Sequence, residues 1–271
     1  MSVLGPIGVF DSGVGGLSVL KQFVRFLPFE DYIYLGDTAR VPYGNKSVNT
    51  VKQYAIECTN FLLEKKVKLI VIACNTVSAV AIDVVKNISN NVPVVAMIQP
   101  AANAAIRSTR NNKIGIIGTR ATISSNAYNN AIKKIAGEDV SIFSQDCPLF
   151  VPLVEEGMLQ HQATKLIAVD YLTKLISEKI DTLVLGCTHY PLLKNLLFET
   201  MPNVTQIDTG EHAAITALRL LAEEKLLKKE PPELLTKYNI KFYVTDVPTH
   251  FYEQAQHFLG FAVDEPELIS I

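Results

Sequence analysis

Nowhere along the 271 residues do lysines and arginines gather into a patch that would track a phosphate backbone, and the net charge is only −2. Nucleic acid is therefore excluded as a primary partner. The amino terminus lacks the basic stretch, apolar segment and small-residue cleavage site of a secretory signal. No apolar run is long enough for a bilayer: the longest, Leu69 to Val85, is interrupted by Asn75, Thr76, Ser78 and Asp83. A membrane helix needs about 20 mostly apolar residues, so this run reads as a buried strand followed by a helix. A cytoplasmic protein without a membrane partner is expected. No two of the four cysteines, Cys58, Cys74, Cys147 and Cys187, are spaced as C-x-x-C, which removes the usual redox motif. A chain of this length has no need of disulfides, so the thiols are either core residues or chemistry. No segment is of low complexity.

What is present is an ordinary soluble balance, 19% charged and 48% hydrophobic, enough for one large α/β domain or two small ones. Strands are expected at Ile7 to Phe10, Tyr32 to Leu35, Leu69 to Ala73 and Val92 to Met97. Helices are expected at Leu17 to Leu27, Ser47 to Lys66 and Thr76 to Ile88. The strands are continuously apolar, as central strands of a parallel sheet are. The second half repeats the first. Ile114-Gly-Ile-Ile-Gly-Thr119 follows the pattern of Ile7-Gly-Val-Phe-Asp-Ser12, 107 residues on, and Leu183-Val-Leu-Gly-Cys187 follows Ile70-Val-Ile-Ala-Cys74, 113 residues on. Two similar α/β halves are implied. The tail has no counterpart in the repeat. Lys225 to Pro232 reads as a linker, Asn239 to Thr245 as a strand and His250 to Leu259 as a helix.

Cys74 and Cys187 each end a strand and precede a helix. In parallel α/β sheets that is where ligands bind, and a helix amino terminus favours thiolate. One such cysteine would ordinarily be core packing. The pair reads differently, because both occupy the same position of the repeat and both are followed by polar groups, Asn75-Thr76 and Thr188-His189. Two opposed thiols suit inversion at carbon, where a base on one face works with an acid on the other. Cys58 and Cys147 lack this setting and are assigned to the core.

The loop Asp11-Ser-Gly-Val-Gly-Gly16 is neither a dinucleotide fingerprint nor a phosphate loop, having no lysine. It reads as a tight turn offering Ser12 and backbone N–H groups to a small anion with Asp11 facing the thiol, or as a plain helix cap. In Gly36-Asp-Thr-Ala-Arg-Val-Pro-Tyr-Gly44, Tyr43 and the Gly44 N–H are candidates for holding a carboxylate, as are Thr119 and Thr122 from the other half. His189 stands two residues from Cys187 and is placed to orient or protonate it. A zinc site of Cys74, Cys187 and His189 fits no common spacing.

Together, Asp11-Ser-Gly-Val-Gly-Gly16, Gly36-Asp-Thr-Ala-Arg-Val-Pro-Tyr-Gly44, Ala73-Cys-Asn-Thr76 and Gly186-Cys-Thr-His-Tyr-Pro191 resemble the glutamate racemases of bacterial cell-wall synthesis, in register from Ile7 to Ala217. The resemblance implies two α/β domains with mainly parallel sheets, related by a pseudo-twofold, with the active site between them. Residues 1–97 plus 208–271 would form the first domain, with the tail returning to it, and residues 98–207 the second. It implies L- and D-glutamate as substrates, D-glutamate for peptidoglycan, and neither pyridoxal phosphate nor metal. Cys74 and Cys187 would move the protons and Asp11 and His189 would assist. Asp11, Ser12, Tyr43, Gly44, Asn75, Thr76, Thr119, Thr188 and His189 would bind substrate. Family members often form dimers, which leaves a homodimer open. The family's usual Asp-Ser-Gly is Asp208-Thr209-Gly210 here, a mild change expected to lie away from the catalytic motifs. The short lead-in to the first strand argues against activation by a cell-wall nucleotide precursor. Aspartate racemase is the nearest alternative, but its second motif usually carries Glu where His189 stands. A binding module without turnover is the alternative from another class, and it would gain nothing from matched thiols.

Overall fold

A computed structural model describes residues 3–229, 238–247 and 251–271. Pro231 and Pro232 of the expected linker, and His250 of the last expected helix, lie outside the described residues. The first half runs β1 (Ile7–Asp11), α1 (Leu17–Phe26), β2 (Tyr32–Gly36), α2 (Val48–Glu64), β3 (Leu69–Ile72), α3 (Asn75–Val80), α4 (Ile82–Ile88) and β4 (Val94–Ala96). After α5 (Ile98–Ser108) the second half runs β5 (Lys113–Gly118), α6 (Arg120–Ser124), α7 (Ala127–Ala136), β6 (Ser141–Asp146), α8 (Phe150–Glu155), α9 (Gln162–Ser177), β7 (Thr182–Gly186), α10 (Lys194–Thr200) and β8 (Thr205–Asp208). The tail adds α11 (Thr209–Glu223), β9 (Ile240–Val244), α12 (Phe251–Leu259) and β10 (Glu267–Leu268).

Two sheets result, in the orders β10-β9-β2-β1-β3-β4 and β6-β5-β7-β8. Among the described residues every strand pairing is parallel. The block β2-β1-β3-β4 and the block β6-β5-β7-β8 have the same topology, so β1 corresponds to β5 and β3 to β7. This is the repeat read from the sequence. In both blocks the chain steps to one side of the first strand and then crosses to the other. The connections leaving β1 and β3, and those leaving β5 and β7, diverge there and open a crevice beyond the strand ends.

Burial on both faces explains the apolar strands: β1, β2, β3 and β7 are buried at every residue. In α2, Ser47 caps the first turn by accepting from the Thr50 N–H, and Val51, Ala55, Cys58, Thr59 and Leu62 turn one face inward. Three boundaries differ from expectation. The stretch expected as one helix from Thr76 to Ile88 breaks at Ala81, whose φ of −131° is not helical. The strand expected over Val92 to Met97 shortens to three residues. Cys187 is followed not by an α-helix but by Thr188, His189 and a 3-10 turn, Tyr190–Leu193, with Pro191 near its start. The two thiols therefore sit in different local frames. The tail returns to the first sheet, where β9 pairs with β2, while α12 packs on α1. Among the described residues no helix is long and apolar enough to cross a membrane.

Candidate functional site

Both strand ends with cysteines open onto one cavity of about 330 Å³. Ser12, Tyr43, Gly44, Cys74, Asn75 and Thr76 line it from the first half, and Thr119, Cys187, Thr188 and His189 from the second. Asp11 is not part of the lining. It lies behind it, 1% exposed, with Oδ2 accepting from the N–H groups of Gly13 (3.1 Å) and Gly16 (2.9 Å). Its other oxygen, Oδ1, is buried and has no hydrogen-bond partner among the described residues. Burial pushes this carboxyl up from its usual range, while the charge of His189 and the surrounding N–H groups pull it down.

The surroundings of the two sulfurs differ. Cys74 sits at the N-cap of α3, and its Sγ lies 3.7 Å from Ser12 Oγ. Burial, and next the Asp11 charge, pushes its thiol up to about 12, against the Val77 N–H and the Ser12 hydroxyl. Cys187 has no α-helix behind it but has an imidazole in front: His189 Nδ1 lies 3.8 Å from its Sγ and 3.3 Å from Thr188 Oγ1. His189 Nε2 meets Glu155 Oε1 at 2.9 Å. Burial disfavours charge on this imidazole, but its bonds to Cys187 and Glu155 prevail and hold it at about 10. Where the 3-10 turn offers Cys187 little helical dipole, a protonated imidazole supplies the positive charge.

The glycine loop makes that approach possible. A Cβ on Gly15 would stand 2.4 Å from His189 Cε1 and 2.5 Å from Thr188 Oγ1, so only glycine fits against the pair. One on Gly16 would stand 2.4 Å from Asp11 Cβ. Ser18 Oγ donates to the Thr188 carbonyl at 2.6 Å, joining the halves behind the cavity.

The binding candidates are brought together with qualifications. Thr76 and Thr119 meet across the halves, Oγ1 to Oγ1 at 3.1 Å, and Thr122 closes the cluster at 3.4 Å and 3.0 Å. Thr119 also caps α6, so it is both a cap and a wall. The Tyr43 hydroxyl donates to the buried Asp37, which also accepts from Arg40 Nε (2.6 Å) and Thr245 Oγ1 (2.9 Å). With that proton committed, Tyr43 presents its ring and backbone to the cavity. Asn75 is held by Tyr128 Oη (2.5 Å) and donates to Thr209 Oγ1 (3.4 Å). This corrects the placing of Asp208-Thr209-Gly210 away from the catalytic motifs. Thr209 touches a cavity residue, and the exchange of serine for threonine keeps the hydroxyl that does so.

Sequence reasoning missed Glu155, together with Pro148, Val151, Pro152 and Arg120 on the same wall. Glu155 is one of two adjacent glutamates at the end of a short helix, and nothing local marks it. Only the fold sets it against His189, which follows it by 34 residues. Cys58 and Cys147 are buried in the core, and burial pushes both thiols up. Among the described residues no three His, Cys, Asp or Glu side chains form a cluster able to hold a metal ion.

Comparison with known proteins agrees with this geometry. A glutamate racemase of Syntrophus aciditrophicus is 49% identical over 271 residues, covering 99% of this chain and 97% of its own. One from Chlorobaculum tepidum is 46% identical, covering 98% and 96%. The crystal structure of glutamate racemase from Francisella tularensis in complex with D-glutamate superimposes with a TM-score of 0.91 at 39% identity, over 99% of this chain and 98% of that one. The sequence profile of the Asp/Glu/Hydantoin racemase family matches residues 7–217, and the chain belongs to that family.

Proposed function

We propose that this protein is an isomerase that interconverts L- and D-glutamate by two-base proton transfer between Cys74 and Cys187, with neither pyridoxal phosphate nor a metal ion. The observation that carries the reading is that the two thiols end equivalent strands of two like-folded halves and line one cavity. A substrate Cα held between them has one sulfur on each face. The thiolate on one side takes the α-proton, the electron pair stays on the substrate carbon, and the thiol on the other side returns a proton to the opposite face. In the resting site Cys74 is the thiol, because burial and Asp11 keep its proton on. His189 with Glu155 serves Cys187. Asp11, behind the lining, acts through the Cys74 thiol and through the loop whose Gly13 and Gly16 N–H groups it holds. Ser12, Thr76, Thr119, Thr188 and the Gly44 loop are the donors available to its carboxylates. The close relatives, and His189 in place of the aspartate enzyme's Glu, support glutamate over aspartate. Return of the tail to the first sheet supports a first domain of residues 1–97 plus 208–271 and a second of 98–207. The family supports a cytoplasmic enzyme supplying D-glutamate for peptidoglycan.

The test is racemisation in heavy water by protein free of pyridoxal phosphate and treated with EDTA. The product enantiomer should carry solvent deuterium from the first turnover while the remaining substrate stays mostly unlabelled. Early return of label to the substrate would mean one base serving both faces, and activity only on adding cofactor or metal would end the thiol reading.

A further inference from the structure

The imidazole of His189 is held by more than its hydrogen bonds. Its polar partners, Cys187, Thr188 and Glu155, all belong to the second half and all act through the two ring nitrogens. Bonds at those atoms act in the ring plane and supply no packing against the ring. The packing comes from elsewhere. Gly15, after β1, backs the Cε1 edge. Phe258, on α12, meets the imidazole edge to face, centroids 5.1 Å apart and planes at 84°. Such contacts have an angular preference that an aliphatic side chain lacks.

The same helix also holds the other member of the pair. Gln254 Nε2 donates to the main-chain oxygen of Glu155 at 3.3 Å. Gln254 and Phe258 are four residues apart and so share one face of α12. Phe258 is 2% exposed, so its ring is fixed by the core. The helix itself packs on α1 and connects β9 to β10 in the chain, both strands of the first sheet.

We propose that Phe258 is a positioning residue for proton transfer at Cys187: one face of α12, carrying Gln254 and Phe258, grips Glu155 and His189 and sets the angle at which the imidazole serves the thiol. The tail, which carries no motif, thereby ties the orientation of a second-half group to the first sheet. The inference rests on the reading of His189 as the partner of Cys187.

The experiment uses the full chain with Phe258→Leu, Gln254→Ala and His189→Asn, and L- and D-glutamate carrying deuterium at Cα. Because the two enantiomers are equal in energy, kcat/KM must fall equally in both directions, and any asymmetry has to be read from isotope effects. With the imidazole mis-set, transfer at Cys187 slows. The substrate isotope effect should rise for the enantiomer whose α-proton Cys187 takes and shrink for the other, where reprotonation becomes limiting. For Phe258→Leu, kcat should fall about tenfold with KM changed by less than about twofold. Gln254→Ala should show the same asymmetry at smaller size, and it decides the matter if Phe258→Leu fails to fold. Isotope effects that stay as in the unaltered protein in folded Phe258→Leu, or in Gln254→Ala when the former does not fold, while His189→Asn shows the asymmetry, overturn the role of α12 alone. Absence of asymmetry in His189→Asn overturns instead the reading on which it rests.

Discussion

Replacing Gly15 by alanine puts a methyl where the structure has no room. Its Cβ would stand 2.4 Å from His189 Cε1 and 2.5 Å from Thr188 Oγ1, against a comfortable carbon separation of about 3.5–4.0 Å. Relief needs a displacement of about an ångström. The imidazole has no free direction for it, being bonded to Glu155 at 2.9 Å on one nitrogen and packed against Phe258. Overpacking of this kind costs about 1–3 kcal/mol, which in a chain of this size lowers Tm by roughly 2–5 °C. A catalytic group misplaced by about 1 Å loses on the order of 100-fold in rate, so kcat should fall by about that factor. Polarimetry of L-glutamate approaching the racemic end point gives the rate, and a thermal melt gives the stability. Gly137→Ala is the control. Gly137 has φ +71° and ψ −151°, a backbone region that is essentially glycine's own, with nothing within 4 Å of an added Cβ, so the change should cost only a backbone penalty of about 1–3 kcal/mol and leave turnover alone. If Gly15→Ala turned over within about threefold of the unaltered protein with the same Tm, the close approach of the loop to His189 would not exist as described.

Cys74→Ala and Cys187→Ala should each abolish racemisation by polarimetry, whereas Cys58→Ala and Cys147→Ala should keep it at some loss of stability. His189 is held at about 10 in the fold against 6.5 unfolded, so its stabilising contribution is complete below 6.5 and drains away as pH rises towards 10. Denaturation midpoints measured across that window should therefore fall less in His189→Asn than in the unaltered protein. Lys68, 1% exposed at the end of the first sheet away from the cavity, holds Glu30 at 2.5 Å and the carbonyls of Val3 and Leu226 at 2.8 Å each. Lys68→Met strands the Glu30 charge and should cost about 3–5 kcal/mol in urea unfolding with KM for glutamate unchanged. Aspartate, one methylene shorter, should be turned over at least about tenfold less efficiently than glutamate when the two are compared by kcat/KM.

The sequence by itself determined the parallel architecture, because burial on both faces demands continuously apolar strands, and Leu69–Ile72 and Thr182–Gly186 leave no other reading. It also determined the two halves and the pairing of Cys74 with Cys187, because a repeated strand-cysteine-polar pattern is local and survives in a one-dimensional string. Ser12 and His189 were legible as neighbours of the cavity for the same reason, each lying within two residues of a strand end or a thiol, whereas Asp11, equally close in sequence, lies behind the lining. Only the tertiary structure decided what depends on distant segments meeting. Glu155 becomes a partner of His189, Thr209 a partner of Asn75, and Asp37 the acceptor of the Tyr43 proton, which left a hydroxyl expected to face substrate engaged elsewhere. The different frames of the two thiols also lay beyond the sequence pattern, since a short α-helix and a 3-10 turn differ by hydrogen-bond geometry that Cys-Asn-Thr and Cys-Thr-His do not spell out. Side-chain chemistry is written residue by residue, whereas which groups meet, and at what angle, is set by the packing of two sheets and a returning tail.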